Sequence, residues 1–108
     1  MPAGTRLSYQ GLKVLRAFLV SFSDDVRAEL AGADVIKAVG ISSGTLYPIL
    51  LRLERSGVLA SRWEETPPGD LGRPRRRFYK LTSHGVQFAH DALHELAPPL
   101  MNPRASEA

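Results

Sequence analysis

Between Ser42 and Gly57 the chain carries the start signal, the apolar period and the stop signal of one short helix, and the neighbouring segments have to fit it. Ser42 is a good N-cap, because its hydroxyl can accept from an amide one turn further on. Gly57 suits the position after the last turn, where a positive φ is tolerated. Leu46, Ile49, Leu50 and Leu53 recur at i, i+3, i+4 and i+7, so one face is apolar. Burying these side chains contributes roughly 1.5–3 kcal/mol each, enough to dock the helix on a core. The other face and the first turn hold Ser43, Gly44, Thr45, Tyr47, Arg52 and Arg55. Small hydroxyls at a helix start, then a phenol and arginines, suit contact with nucleic acid. Pro48 has no N–H for the Gly44 carbonyl, so the first turn is expected to bend.

The flanking segments place this helix in a larger unit. Residues 8–22 read as a first helix with Ser8 as its cap. Its stripe of Leu12, Leu15, Leu19 and Phe22 is widened by Val14, Ala17 and Phe18, more than one core normally needs, which points to a second subunit along one edge. Residues 31–39 form a short helix stopped by Gly40, with Val35, Ile36 and Val39 inward. Helix, glycine-containing turn and second helix make the helix-turn-helix pattern, which any helical corner can also produce. After Gly57 the period changes: residues 58–64 and 77–81 read as strands, and Thr66 to Pro74 as a loop. Thr82 caps a last helix over residues 83–96, whose stripe is Val86, Ala89, Leu93 and Leu96, and Pro98 and Pro99 end it. That helix is expected to pack on the first helix and on a symmetry mate.

Composition narrows the function. The 108 residues suit one domain, and the absence of cysteine removes disulfides and thiolate metal sites. No signal peptide follows Met1 to Arg6, and no segment is long and apolar enough for a bilayer, so a cytoplasmic protein without a membrane partner is expected. The net charge is +3, and Arg73, Arg75, Arg76, Arg77 and Lys80 fall close together. Such a cluster suits a polyanion, or else a solvated charged face. On a strand Arg75 and Arg77 would share one face and Arg76 the other. His90 and His94 have the i, i+4 spacing of zinc ligands, but no third ligand is placed beside them, so solvated histidines and no metal or cofactor are expected. The only tryptophan, Trp63, is expected beneath the hairpin that the two strands would form or at a dimer seam. No Gly-rich phosphate loop and no Ser/His/Asp set is present, and Glu64 and Glu65 point apart on a strand, so the chain does not read as an enzyme.

Two segments carry a resemblance. The first is Ser43-Gly44-Thr45-Leu46-Tyr47-Pro48-Ile49-Leu50, followed by Arg52-Leu53-Glu54 and Gly57. The second is Gly72-Arg73-Pro74, then Arg76-Arg77-Phe78-Tyr79-Lys80-Leu81-Thr82 and Gly85. With Gly32 and Asp34 as a third match, the sequence from about Leu12 to Leu96 resembles the PadR family of bacterial transcriptional regulators, in its short subgroup. Ala31 and Ala33 depart from the family's His-Gly-Tyr pattern. The resemblance implies a mainly α fold with a small β-hairpin (α+β): a winged helix-turn-helix plus a C-terminal dimerisation helix. It also implies a homodimer, usually a repressor, on an inverted-repeat operator of double-stranded DNA. Ser43, Thr45 and Tyr47 would then lie at the DNA surface and Arg73 at the wing tip.

The expected organisation is a flexible end over residues 1–7, a DNA-binding domain over 8–82, a dimerisation helix over 83–97 and a tail over 98–108. The expected DNA contacts are Ser42, Ser43, Gly44, Thr45, Tyr47, Arg52, Arg73, Arg75 and Arg77. Thr45 would meet a base edge and Ser43 and Tyr47 phosphates, or Tyr47 would pack on the core. Arg73 would enter a minor groove, or only add to the field. Leu12, Leu15, Leu19, Val86, Ala89, Leu93 and Leu96 are the expected dimer contacts. A small-molecule effector is a further partner class, for which the short last helix leaves little wall. The competing function is a winged-helix protein-interaction module without specific DNA binding.

Overall fold

Ser8 opens the first helix as expected: its Oγ accepts from the Gly11 N–H at 3.1 Å, and α1 runs Tyr9–Asp24. The structure, a computed structural model, describes residues 7–96, and their side chains apart from those of residues 68, 95 and 96. The ends expected over 1–6 and 98–108, with the Pro98–Pro99 stop, fall outside the described residues. Leu7, the last residue of the end expected to be flexible, rests half-buried against the core.

A two-residue strand, β1 (Leu30–Ala31), comes next and leads directly into α2 (Gly32–Val39). The Ala31 N–H donates to Asp34 Oδ2 at 2.8 Å, the half of a capping box that needs no polar side chain at the cap. Gly40, at φ 77°, ends α2 in the left-handed region. The chain then bends by 117° into α3 (Ser43–Arg55), within the range of about 90–120° for helix-turn-helix pairs. Leu46, Ile49, Leu50 and Leu53 of α3 are buried, and Val35 of α2 meets them.

Gly57, at φ 78°, turns the chain out of α3, and the Val58 N–H closes the turn on the Leu53 carbonyl at 2.9 Å. β2 (Leu59–Trp63) and β3 (Arg77–Leu81) pair antiparallel, with Leu59 opposite Leu81, Ser61 opposite Tyr79 and Trp63 opposite Arg77. β1 adds to the far side of β3, giving the order β1-β3-β2. The wing loop contains one helical turn, α4 (Pro68–Leu71), where composition suggested only a loop. β3 begins at Arg77, so Arg75 and Arg76 precede the strand and the alternation expected of them does not apply.

Thr82 joins the last helix, α5 (Ser83–Leu96), to the turn after α3. Its Oγ1 accepts from the Gly85 N–H at 2.9 Å and donates to the Gly57 carbonyl at 2.6 Å. α5 packs on α1, as expected. Leu12, Leu15, Leu19, Ala89 and Leu93, expected at a dimer contact, are buried inside one chain, where α5, α2 and β3 all pack on α1. Val86 is half-buried against the same core, and the Leu96 side chain lies outside those described. Among the described residues no single helix is long and apolar enough to cross a membrane.

Candidate nucleic-acid interface

The first turn of α3 stands open. Ser42, Ser43, Gly44, Tyr47 and Pro48 are exposed, and Arg52 and Arg55 are exposed at the other end of the helix. Ser42 Oγ accepts from the Thr45 N–H at 3.3 Å and donates to Thr45 Oγ1 at 3.2 Å. Ser42 thus orients the Thr45 hydroxyl, whose own O–H, with the methyl beside it, is left for an outside partner. Tyr47 is 49% exposed, so its ring is not a core ring. Its hydroxyl end lies over Gly32 at the start of α2, where any Cβ would come within 2.9 Å of Tyr47 Cζ.

The wing arginines divide by their partners. Arg73 makes a two-pronged pair with Glu64, Nη1–Oε1 at 2.9 Å and Nη2–Oε2 at 3.2 Å, and also donates to its neighbour's carbonyl at Pro74. Glu64 Oε1 accepts the Arg76 N–H as well, at 3.2 Å, and the Glu64 N–H donates to the Arg76 carbonyl at 2.8 Å. Glu64 thus clasps the wing at its neck, and Arg73 is part of the clasp. Arg77 faces inward: its Nε donates to Ser61 Oγ at 2.9 Å and its Nη2 to Glu54 Oε2 at 3.2 Å. The guanidinium lies 5.1 Å from the centre of the Trp63 ring. Arg75 and Arg76 are exposed, and Arg75 Nε donates to the Thr66 carbonyl across the wing loop at 3.3 Å.

Tyr47, Trp63, Arg75, Arg76 and Arg77 line one cleft of about 500 Å³ between the start of α2, the start of α3 and the wing. Three of the expected contacts, Tyr47, Arg75 and Arg77, therefore meet in one place, whereas Arg52 lies outside the cleft's lining. Arg76 and Trp63 were not among the expected contacts. Their signal was available in the basic cluster and in the lone tryptophan on the strand leading into it. On the outer face of the hairpin Arg62 pairs with Glu29 through Nη2–Oε1 at 2.7 Å and sits over the Phe78 ring.

The clasp has a pH signature. The Arg73 guanidinium, and then the Arg76 N–H, hold the Glu64 carboxyl below its ordinary 4.5, and Arg62 does the same for Glu29. A carboxyl depressed in the folded chain contributes stability above its unfolded value and loses it as pH falls through the folded one. Stability is therefore expected to be flat down to about pH 4.5 and to fall below it. Glu64→Gln should flatten part of that fall, which denaturant midpoints measured from pH 6 to pH 3 will read.

His90 and His94 are exposed on α5, and among the described residues no three His, Asp or Glu side chains come together as metal ligands.

A family model, that of PadR-like transcriptional regulators, matches residues 28–91, from the approach to β1 into α5. The chain belongs to the PadR-like family. The match spans the helix-turn-helix and the whole wing, so the clasp and the cleft both lie within the family's unit. The solved structure of a PadR-like transcription factor from Bacteroides fragilis is 25% identical and has a TM-score of 0.62, over 92% of each chain. That of smu.1704 from Streptococcus mutans is 27% identical with a TM-score of 0.63, over 91% of this chain and 90% of the other. AbfR of Staphylococcus epidermidis shares the fold at 19% identity and a TM-score of 0.65, over 94% of this chain and 60% of its own. No curated protein matches the sequence. This PadR-like chain is thus a winged-helix protein of mainly α structure with a small antiparallel sheet.

Proposed function

We propose that this chain is a sequence-specific DNA-binding regulator, a homodimeric repressor that holds an inverted-repeat operator through the first turn of α3 and the wing cleft. The observation that carries the reading is Gly44. It sits exposed in the first turn of α3, and a Cβ there would meet nothing nearer than Ser42 Oγ at 4.0 Å. Glycine in a helix costs roughly 0.5–1 kcal/mol relative to alanine, and the chain's own packing gives no reason for it. Close approach of another molecule to the bare backbone does.

In this reading Ser42 holds the cap, Ser43 and Tyr47 donate to phosphates, and the Thr45 methyl meets a base edge such as a thymine methyl. Arg75 and Arg76 take the phosphates beside the cleft, and Arg52 adds charge further along the helix. Arg73 and Arg77 act through the wing's shape, since each already has a carboxylate partner. One module buries only about 600–1,000 Å² on DNA, which favours a pair whose recognition helices stand about 34 Å apart. For that pairing we favour the outer edge of α1, where Val20 is 46% exposed beside an open groove lined by Lys13, Ala17 and Val39.

Selection of duplexes from a random-sequence pool, followed by binding at two salt concentrations, tests the reading. Enrichment of a two-part repeat, with affinity falling steeply as salt rises, is the expected result. The rival protein-interaction module predicts no enrichment and no salt-sensitive binding. Gly44→Ala sharpens the test. It should raise stability by about 0.4–1 kcal/mol and weaken binding to the selected duplex about tenfold, because stability and approach pull in opposite directions at this position.

A further inference from the structure

Glu54, the carboxylate of the Arg-Leu-Glu segment and the partner of Arg77, takes no part in the proposed DNA contacts. Glu54 lies half-buried in the last turns of α3, facing the hairpin rather than an outside partner. Its Oε2 accepts from Ser61 Oγ of β2 at 2.6 Å and from Arg77 Nη2 of β3 at 3.2 Å. Arg77 closes the circuit by donating its Nε to the same Ser61 Oγ at 2.9 Å. Residues Leu59, Ser61 and Trp63 of β2 share the inner face of the hairpin with Leu81, Tyr79 and Arg77 opposite them. The base of that face is buried core, with Leu59 at 2% and Leu81 at 4%, while its outer end at Trp63 is 55% exposed. Apolar packing and the β1 ladder therefore fix the hairpin as far as Tyr79 and Phe78. Beyond Tyr79 the polar bridge ties it to α3.

We propose that Glu54 is a positioning residue that, through Ser61 and Arg77, locks the wing at one angle to the recognition helix and so sets the spacing between the two parts of the DNA contact. The inference rests on the DNA-binding reading above. β1 holds β3 as far as Phe78 and Glu29 holds Arg62 on the outer face, but the outer end of the hairpin can still tilt, and a tilt moves Arg75 and Arg76 relative to Tyr47 across the cleft. The charge-assisted bonds at Glu54 resist that motion. They also hold the Arg77 guanidinium over Trp63, so the lone tryptophan reports on the lock.

Generic electrostatics and the lock predict opposite outcomes for Glu54→Gln. Removing one negative charge from a chain of net +3 should tighten binding to any duplex. Losing the lock should weaken binding to the duplex that the wild-type chain selects by about tenfold, while binding to random-sequence duplex holds or rises. Trp63 emission of the free protein should change in the same variant, with its far-ultraviolet dichroism unchanged. Arg77→Lys keeps the charge but not the forked bond. It should reproduce the loss, and the double variant should be no weaker than either single one.

Ser61→Ala, a smaller change at a half-buried site, carries the test if Glu54→Gln does not fold. Its expected result is a weaker form of the same loss with the same shift in emission. Unchanged or tighter binding to the selected duplex with unchanged Trp63 emission overturns the proposal. So does an Arg77→Lys chain that binds like wild type. Failure of the wild-type chain to select any duplex would instead overturn the DNA-binding reading itself.

Discussion

Gly85→Ala is expected to cost the fold about 3 kcal/mol or more, the upper end of what overpacking a core does. Gly85 lies in the first turn of α5, buried against the turn that follows α3. A Cβ there would overlap the Val58 carbonyl oxygen and come within 2.9 Å of its carbonyl carbon. Both are backbone atoms in a turn pinned by the Val58 N–H on the Leu53 carbonyl and the Thr82 N–H on the Val58 carbonyl. Neither side-chain rotation nor a local shift relieves the clash. The start of α5 must move away, and the Thr82 hydroxyl then loses its 2.6 Å bond to the Gly57 carbonyl. For a domain of this size the thermal midpoint should fall by roughly 10 °C or more. A melting curve within a few degrees of wild type would mean that α5 does not pack where the structure has it.

The second large effect is on binding. Replacing both Arg75 and Arg76 by glutamine should weaken binding to the selected duplex by about a hundredfold or more at low salt, since each charge-assisted hydrogen bond contributes about 1.5–3 kcal/mol. The slope of log affinity against log salt should become shallower by about 0.9 for each phosphate that is no longer neutralised. Stability should hardly change, because both side chains are exposed outside the strand. Arg73→Gln should behave differently. It opens the Glu64 clasp, so its weaker binding should come with a looser wing rather than with the full change in salt slope.

Local signals in the sequence were strong where one residue type has one job. Ser8, Ser42 and Thr82 cap the helices expected of them, and the bounds of β3 and α5 match the expected ones residue for residue. β1 left no trace, because two residues have no period and their strand character comes entirely from pairing with Tyr79 and Phe78. α4 is one turn inside a loop rich in proline and glycine, too short for any pattern. The wide stripe on α1 was legible as apolar and its contact with α5 was expected, but not that α2 and β3 of the same chain also pack on α1.

The candidate site divides the same way. The open first turn of α3 follows from its hydroxyl residues and its cap. Which arginines of the cluster are bound up within the chain does not, because the deciding carboxylates stand far along the sequence: Glu64 is 9 residues from Arg73 and Glu54 is 23 from Arg77. Only the hairpin brings them into reach.

Amide chemical shifts of the labelled chain, followed as the selected duplex is added, test the central claim most directly. Changes concentrated in Ser42–Tyr47 and across the wing from Trp63 to Arg77, with the α1–α5 contact still, are the expected result. Changes confined to α1 and α5, with the first turn of α3 unmoved, would contradict it.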